Sequence, residues 1–147
     1  SDVCSSDLPG IRRSRGSLHA LLDQVFLNAA PEQRVGLLGF SQGCVMTLDA
    51  GLRYPKPLAA LVGISGYVHE PGRLIAEVRP GADRIPVLVT HGAQDPLIPM
   101  ATARSHVDFL RARGLSQIQW KEYAKPHSVD FPREIDDIRE FLTSAFA

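Results

Sequence analysis

Apolar residues follow two rhythms along this chain. Arg34–Gly39, Leu58–Ile64, Val87–His91 and Gln117–Tyr123 are short apolar runs with polar, glycine or proline residues at their ends. Runs of this length read as strands, and the continuous ones as strands buried on both faces. Between them the repeat lengthens to that of a helix. In Ser14–Leu27, Leu18, Leu21, Leu22 and Val25 recur at i, i+3, i+4 and i+7. Cys44–Tyr54 is apolar on most faces, which predicts a buried helix, and Pro55 and Pro57 end it. Arg73–Val78 reads as a short helix and Pro80–Pro86 as irregular. Ala101–Arg113 is a helix stopped by Gly114, and Pro132–Phe146 is a last helix that buries Ile135, Ile138 and Leu142. Strands that alternate with helices predict an α/β fold, a parallel sheet with helices on both faces.

Composition narrows the class. A chain of 147 residues suits one domain with a real core. The formal net charge is +0 and the pI is about 6.9, which argues against nucleic acid or an anionic membrane as a partner. The one basic cluster, Arg12, Arg13 and Arg15, reads as a solvated terminus. Nothing approaches the ~20 apolar residues that span a bilayer, so no stable membrane insertion is expected. Residues 1–16 lack the apolar core of a secretory signal. Cys4 and Cys44 make no disulfide framework, and a cytoplasmic protein is expected. Ser1–Leu8 looks like the translation of a sequencing adapter. It is set aside as non-native, residues 9–147 are read as the domain, and the gene is expected to continue upstream.

The chemistry concentrates in Gly39-Phe40-Ser41-Gln42-Gly43. A serine between two glycines, after a strand and before a helix, is the nucleophile-elbow pattern. The turn is tight enough to call for glycine on both flanks. It sets the hydroxyl at a helix N-terminus, where free N–H groups favour a developing oxyanion. Active sites of open parallel sheets form beyond the carboxyl ends of the strands. Asp95 follows the third strand and His127 the fourth, so both reach the edge that carries Ser41. The order Ser, Asp, His is that of α/β-hydrolase triads. His127 would take the Ser41 proton and later return it, while Asp95 would fix the imidazole tautomer. Asp83 precedes its strand and lies at the wrong end, and Asp49 points elsewhere from the elbow helix. His91 reads as structural, and His69 and His106 as surface residues. A metal site from His91, Asp95 and His127 lacks any standard ligand spacing.

Four stretches carry a family resemblance. Gly39–Gly43, Ile64–Tyr67, Val89–Pro99 and Trp120–Tyr123 followed by His127-Ser128 resemble the phospholipase/carboxylesterase family of α/β-hydrolases, which includes the acyl-protein thioesterases. The resemblance implies that Ser41, Asp95 and His127 are the triad and that Gln42 supplies one oxyanion-hole N–H. It implies hydrolysis of a small acyl ester, an acyl thioester or a lysophospholipid, with no cofactor. Cys44 stands where the family has glycine or another small residue, and Pro126 where it often has glycine. The family also has more chain before the elbow, including the first strands of the sheet and the second oxyanion donor. The chain is therefore expected to lack those strands, to be weakly active at best, and to self-associate through an exposed sheet edge. The contrasting reading is a non-catalytic fragment or binding domain that keeps the fold.

Overall fold

The computed structural model describes residues 8–147, and residues 1–7 of the adapter-like segment lie outside them. The chain runs α1 (Leu8–Asn28), β1 (Gly36–Phe40), α2 (Gln42–Gly51), β2 (Ala60–Ile64), α3 (Pro71–Glu77), β3 (Val87–Gly92), α4 (Met100–Ala112), β4 (Ile118–Tyr123) and α5 (Arg133–Ala145). A single 3₁₀ turn, Ala82–Arg84, interrupts the irregular stretch before β3. The four strands form one sheet in the order β1-β2-β3-β4, and every neighbouring pair is parallel. The expected α/β architecture is what forms.

Register sorts the apolar residues into two layers. Leu61, Val87, Val89 and Ile118 face α2 and α4 and join Leu48, Val107 and Leu110 in the main core. Val62, Ile64 and Leu88 face the other way and pack on Ile138, with Phe141 and Leu142 half-buried beside them. This is why the strands read as continuously apolar: helices lie on both sides. The single helix α5 covers β2 and β3 on its face. On the same face of β1, Leu38 and Phe40 pair in register with Val62 and Ile64 but remain 54% and 40% exposed. Among the described residues β1 is thus an outer strand with apolar side chains in solvent.

Helix α1 departs most from expectation. It starts six residues early, with Pro9 in the first turn, where a missing N–H costs nothing. Its core-facing apolar stripe is Ile11 and Leu22, both buried, with Leu18 and Phe26 half-buried, whereas Leu21 is 59% exposed and Val25 39%. A second stripe one step round is polar and equally engaged with the core. Arg15 Nε reaches Asp49 Oδ2 at 2.6 Å, His19 Nε2 lies 2.9 Å from the Ala50 carbonyl, and Tyr54 donates to Asp23 at 2.7 Å. Arg15 is therefore not part of a solvated terminus. Asp49 is fully buried because Arg15 and Arg53 both neutralise it, Arg53 at 2.8 Å. The sequence rhythm placed the apolar face one step off because these three polar contacts rotate α1 on α2.

The corrected register predicts a sharp contrast between neighbours. Leu22→Ala should cost about 2–5 kcal/mol in urea unfolding, and Leu21→Ala should stay within about 0.5 kcal/mol of the parent.

Candidate active site

Ser41 occupies the single position between β1 and α2. Its backbone is held at φ 59° and ψ −117°, a positive-φ conformation uncommon for a side-chain-bearing residue. Three hydrogen bonds maintain it. Ser41 N–H donates to the Ile64 carbonyl at 2.7 Å, and its own carbonyl accepts from Cys44 at 2.9 Å and Val45 at 3.3 Å. A side chain at Gly39 would collide with the Gly43 main chain and with Thr47 Oγ1, so glycine is required there. At Gly43 the space is open. The expectation that both flanks need glycine on steric grounds is corrected: the crowding is at the strand side, where the first turn of α2 lies against Gly39, while a side chain at residue 43 would meet open space.

Cys44 lies directly under the elbow. A Cβ on Gly63 or Gly66 would meet its sulfur at 2.6 Å, so the cysteine fills the space that two glycines leave. Burial pushes its thiol up to about 12, which leaves it a packed, un-ionised side chain.

Asp95 combines two tasks. One oxygen accepts the N–H groups of Leu97 and Ile98, both at 2.9 Å, and closes the turn after β3. The other lies 2.7 Å from His127 Nδ1. Burial pushes the Asp95 carboxyl up, but the Ile98 N–H, the His127 ring and the Leu97 N–H outweigh it and hold the pKa below its ordinary value. His127 Nε2 in turn lies 2.9 Å from Ser41 Oγ. Ser41, His127 and Asp95, drawn from the ends of three strands, thus form one hydrogen-bonded chain. The Asp95 side chain is buried, while Ser41 and His127 are half-buried, and the Phe40 ring leans on the imidazole at 5.0 Å between centroids. Gln42, the first residue of α2, is exposed, and its N–H belongs to the turn whose donors a helix leaves unpaired.

The two loops that deliver Asp95 and His127 are stitched together. Ala93 N–H donates to the Tyr123 carbonyl at 2.8 Å and Gln94 N–H to the Lys125 carbonyl at 3.1 Å. A Cβ on Gly92 would strike the Lys125 carbonyl, and would come within 2.7 Å of the Pro126 carbonyl, so this glycine permits the close approach. His91 is fully buried, lies parallel to Trp120 at 6.0 Å, and holds the Ile98 carbonyl at 2.8 Å from Nε2. It braces the Asp95 turn from beneath. His69, expected at the surface, is 5% exposed instead, whereas His106 is half-buried and its Nδ1 accepts the Val68 N–H at 3.2 Å. Asp83 is exposed in the 3₁₀ turn before β3. Among the described residues no cluster of His, Cys, Asp or Glu is arranged to hold a metal ion, and no helix is long and apolar enough to cross a membrane.

A parallel sheet that brings Ser, Asp and His in that order to its carboxyl edge defines an α/β-hydrolase. The chain belongs to the phospholipase/carboxylesterase family, whose sequence model matches residues 1–146. It is 34% identical over 130 residues to acyl-protein thioesterase 1 of Schizosaccharomyces pombe, covering 88% of this chain and 56% of that protein. It is 30% identical over 132 residues to a rice protein described as a probable inactive carboxylesterase, covering 89% of this chain and 54% of the other. Among solved structures, that of esterase PE8 superposes with a TM-score of 0.86 at 28% identity, covering 99% of this chain and 66% of that one. The chain thus spans little more than half the length of these two curated relatives.

Burial also sets a pH dependence. It lowers the pKa of His91 and of His106 below the ordinary 6.5. The unfolded chain therefore takes up these protons first, and stability is full above pH 6.5 and falls as the pH drops below it. Asp95, with its depressed pKa, stabilises above the ordinary 3.8 and loses that contribution only as the pH falls through its lower folded value. Thermal unfolding midpoints should fall as the pH is lowered from 7 toward 5, and less steeply in His106→Gln.

Proposed function

We propose that this chain carries the catalytic centre of a carboxylic ester hydrolase that works through an acyl-enzyme on Ser41. The observation that carries this reading is the unbroken chain Ser41 Oγ–His127 Nε2 at 2.9 Å and His127 Nδ1–Asp95 at 2.7 Å. Ser41 Oγ attacks the acyl carbonyl while its proton passes to His127 Nε2. The Gln42 N–H and the α2 N-terminus stabilise the oxyanion. The tetrahedral intermediate collapses, the scissile bond to oxygen or sulfur breaks, and the imidazolium gives its proton to the leaving alcohol or thiol. Water then attacks the acyl-serine as His127 takes its proton, and the imidazolium returns that proton to Ser41 Oγ as the carboxylic acid leaves. Asp95 stays ionised throughout and steadies the imidazolium. The substrates are small acyl esters, with acyl thioesters and lysophospholipids as the family's other chemistries.

The contrasting reading is a domain that keeps the fold without turnover, and the probable inactive carboxylesterase among the relatives favours giving it a test. A fluorophosphonate probe with intact mass measurement separates the two. The parent should gain one adduct and Ser41→Ala none. A folded parent that gains none contradicts the hydrolase.

The exposed Leu38 and Phe40 on the outer strand support pairing between two copies through that edge. Sedimentation velocity should show a concentration-dependent dimer that Leu38→Lys weakens.

A further inference from the structure

A buried ammonium sits two residues before His127. Lys125 is 3% exposed and Glu134 is fully buried. Lys125 Nζ lies 2.6 Å and 2.9 Å from the two Glu134 carboxylate oxygens, 2.6 Å from the Ser128 carbonyl and 3.2 Å from Ser65 Oγ. Glu134 Oε1 also accepts the Asp130 N–H at 2.8 Å. One ion pair thus grips the His127 loop on both sides. Ser128 and Asp130 are held beyond the imidazole and Lys125 is held before it. The anchors are the first turn of α5 and the residue that follows β2, Ser65, itself held at φ 57°.

Such a pair is a poor choice for stability alone. Taking two charges out of water costs about as much as their attraction returns, and an apolar pair of the same volume often does better. Its distinguishing property is direction: an ammonium with three donors fixes three acceptors in set positions. Ser65, Ser128 and Glu134 are three such acceptors, on three separate segments.

We propose that Lys125, paired with Glu134, is the positioning residue of the general base. It sets the His127 loop so that one imidazole nitrogen meets Ser41 and the other meets Asp95. It touches neither substrate nor the reacting atoms. The inference rests on the reading of His127 as the base of the hydrolase, and its test has a readout outside turnover.

The test compares the parent with Lys125→Met/Glu134→Gln. The double variant leaves no charge at the buried pair, keeps a side-chain acceptor for Asp130, and removes the donor to Ser128 and Ser65. Thermal unfolding should stay near that of the parent. The far-downfield proton resonance of His127 Nδ1–H, held by Asp95, should weaken or vanish. kcat for a p-nitrophenyl ester should fall about 10²-fold, as misplacement of a reacting group does elsewhere, with KM unchanged. A folded double variant with the parental resonance and parental kcat overturns the proposal. If the parent shows the resonance but no turnover, the hydrolase reading fails, and loss of the resonance in the variant still supports the clip. Should the double variant not fold, Glu134→Gln alone decides. It turns one Lys125 acceptor into a donor, so a weakened resonance supports the proposal and a parental one contradicts it.

Discussion

Everything at the site depends on one strained residue. Ser41 sits at φ 59° between a strand and a helix, a conformation that costs on the order of 1–3 kcal/mol wherever it persists. The surroundings over-determine it. The Ile64 carbonyl holds its N–H, the first turn of α2 holds its carbonyl, and Gly39 lets the helix lie against the strand. The sheet makes this possible, because Ile64 pairs in register with Phe40 and so presents its carbonyl one residue further on. The elbow is therefore a product of β1–β2 register as much as of its own five residues.

The partners of Ser41 arrive by a different route. Asp95 and His127 stand on loops, yet neither loop is free. Gly92 admits the Lys125–Pro126 main chain, Asp95 ties its own turn, and His91 props that turn from the core. The proline before His127 fits this arrangement, since its carbonyl accepts the Ser128 N–H at 3.0 Å and closes a turn around the histidine. His127 is thus placed by backbone contacts between the two loops together with the Lys125–Glu134 pair.

The sequence exposed most of this because the signals were local. Four apolar runs marked the strands to within two residues, and Gly39–Gly43 marked the elbow. Asp95 and His127 were legible because each lies just past a strand on the same edge. The misses share a cause as well. Arg15 read as part of a solvated terminus and Asp49 as turned away from the site, nothing singled out Lys125 or Glu134, and all four became ion pairs only when separate segments met. His69 read as a surface residue because its burial likewise depends on the folded chain. The apolar face of α1 was misplaced because polar contacts to Asp49, Ala50 and Tyr54 decide how that helix sits.

The central claim is that Ser41, His127 and Asp95 work as one unit, and pre-steady-state kinetics test it directly. Mixing the folded chain with excess p-nitrophenyl acetate should release a burst approaching one equivalent of nitrophenol, followed by slower turnover, with acetate found on the Ser41 peptide. His127→Ala should abolish both burst and adduct. A folded chain that gives neither a burst nor an acetyl-Ser41 peptide would contradict the account.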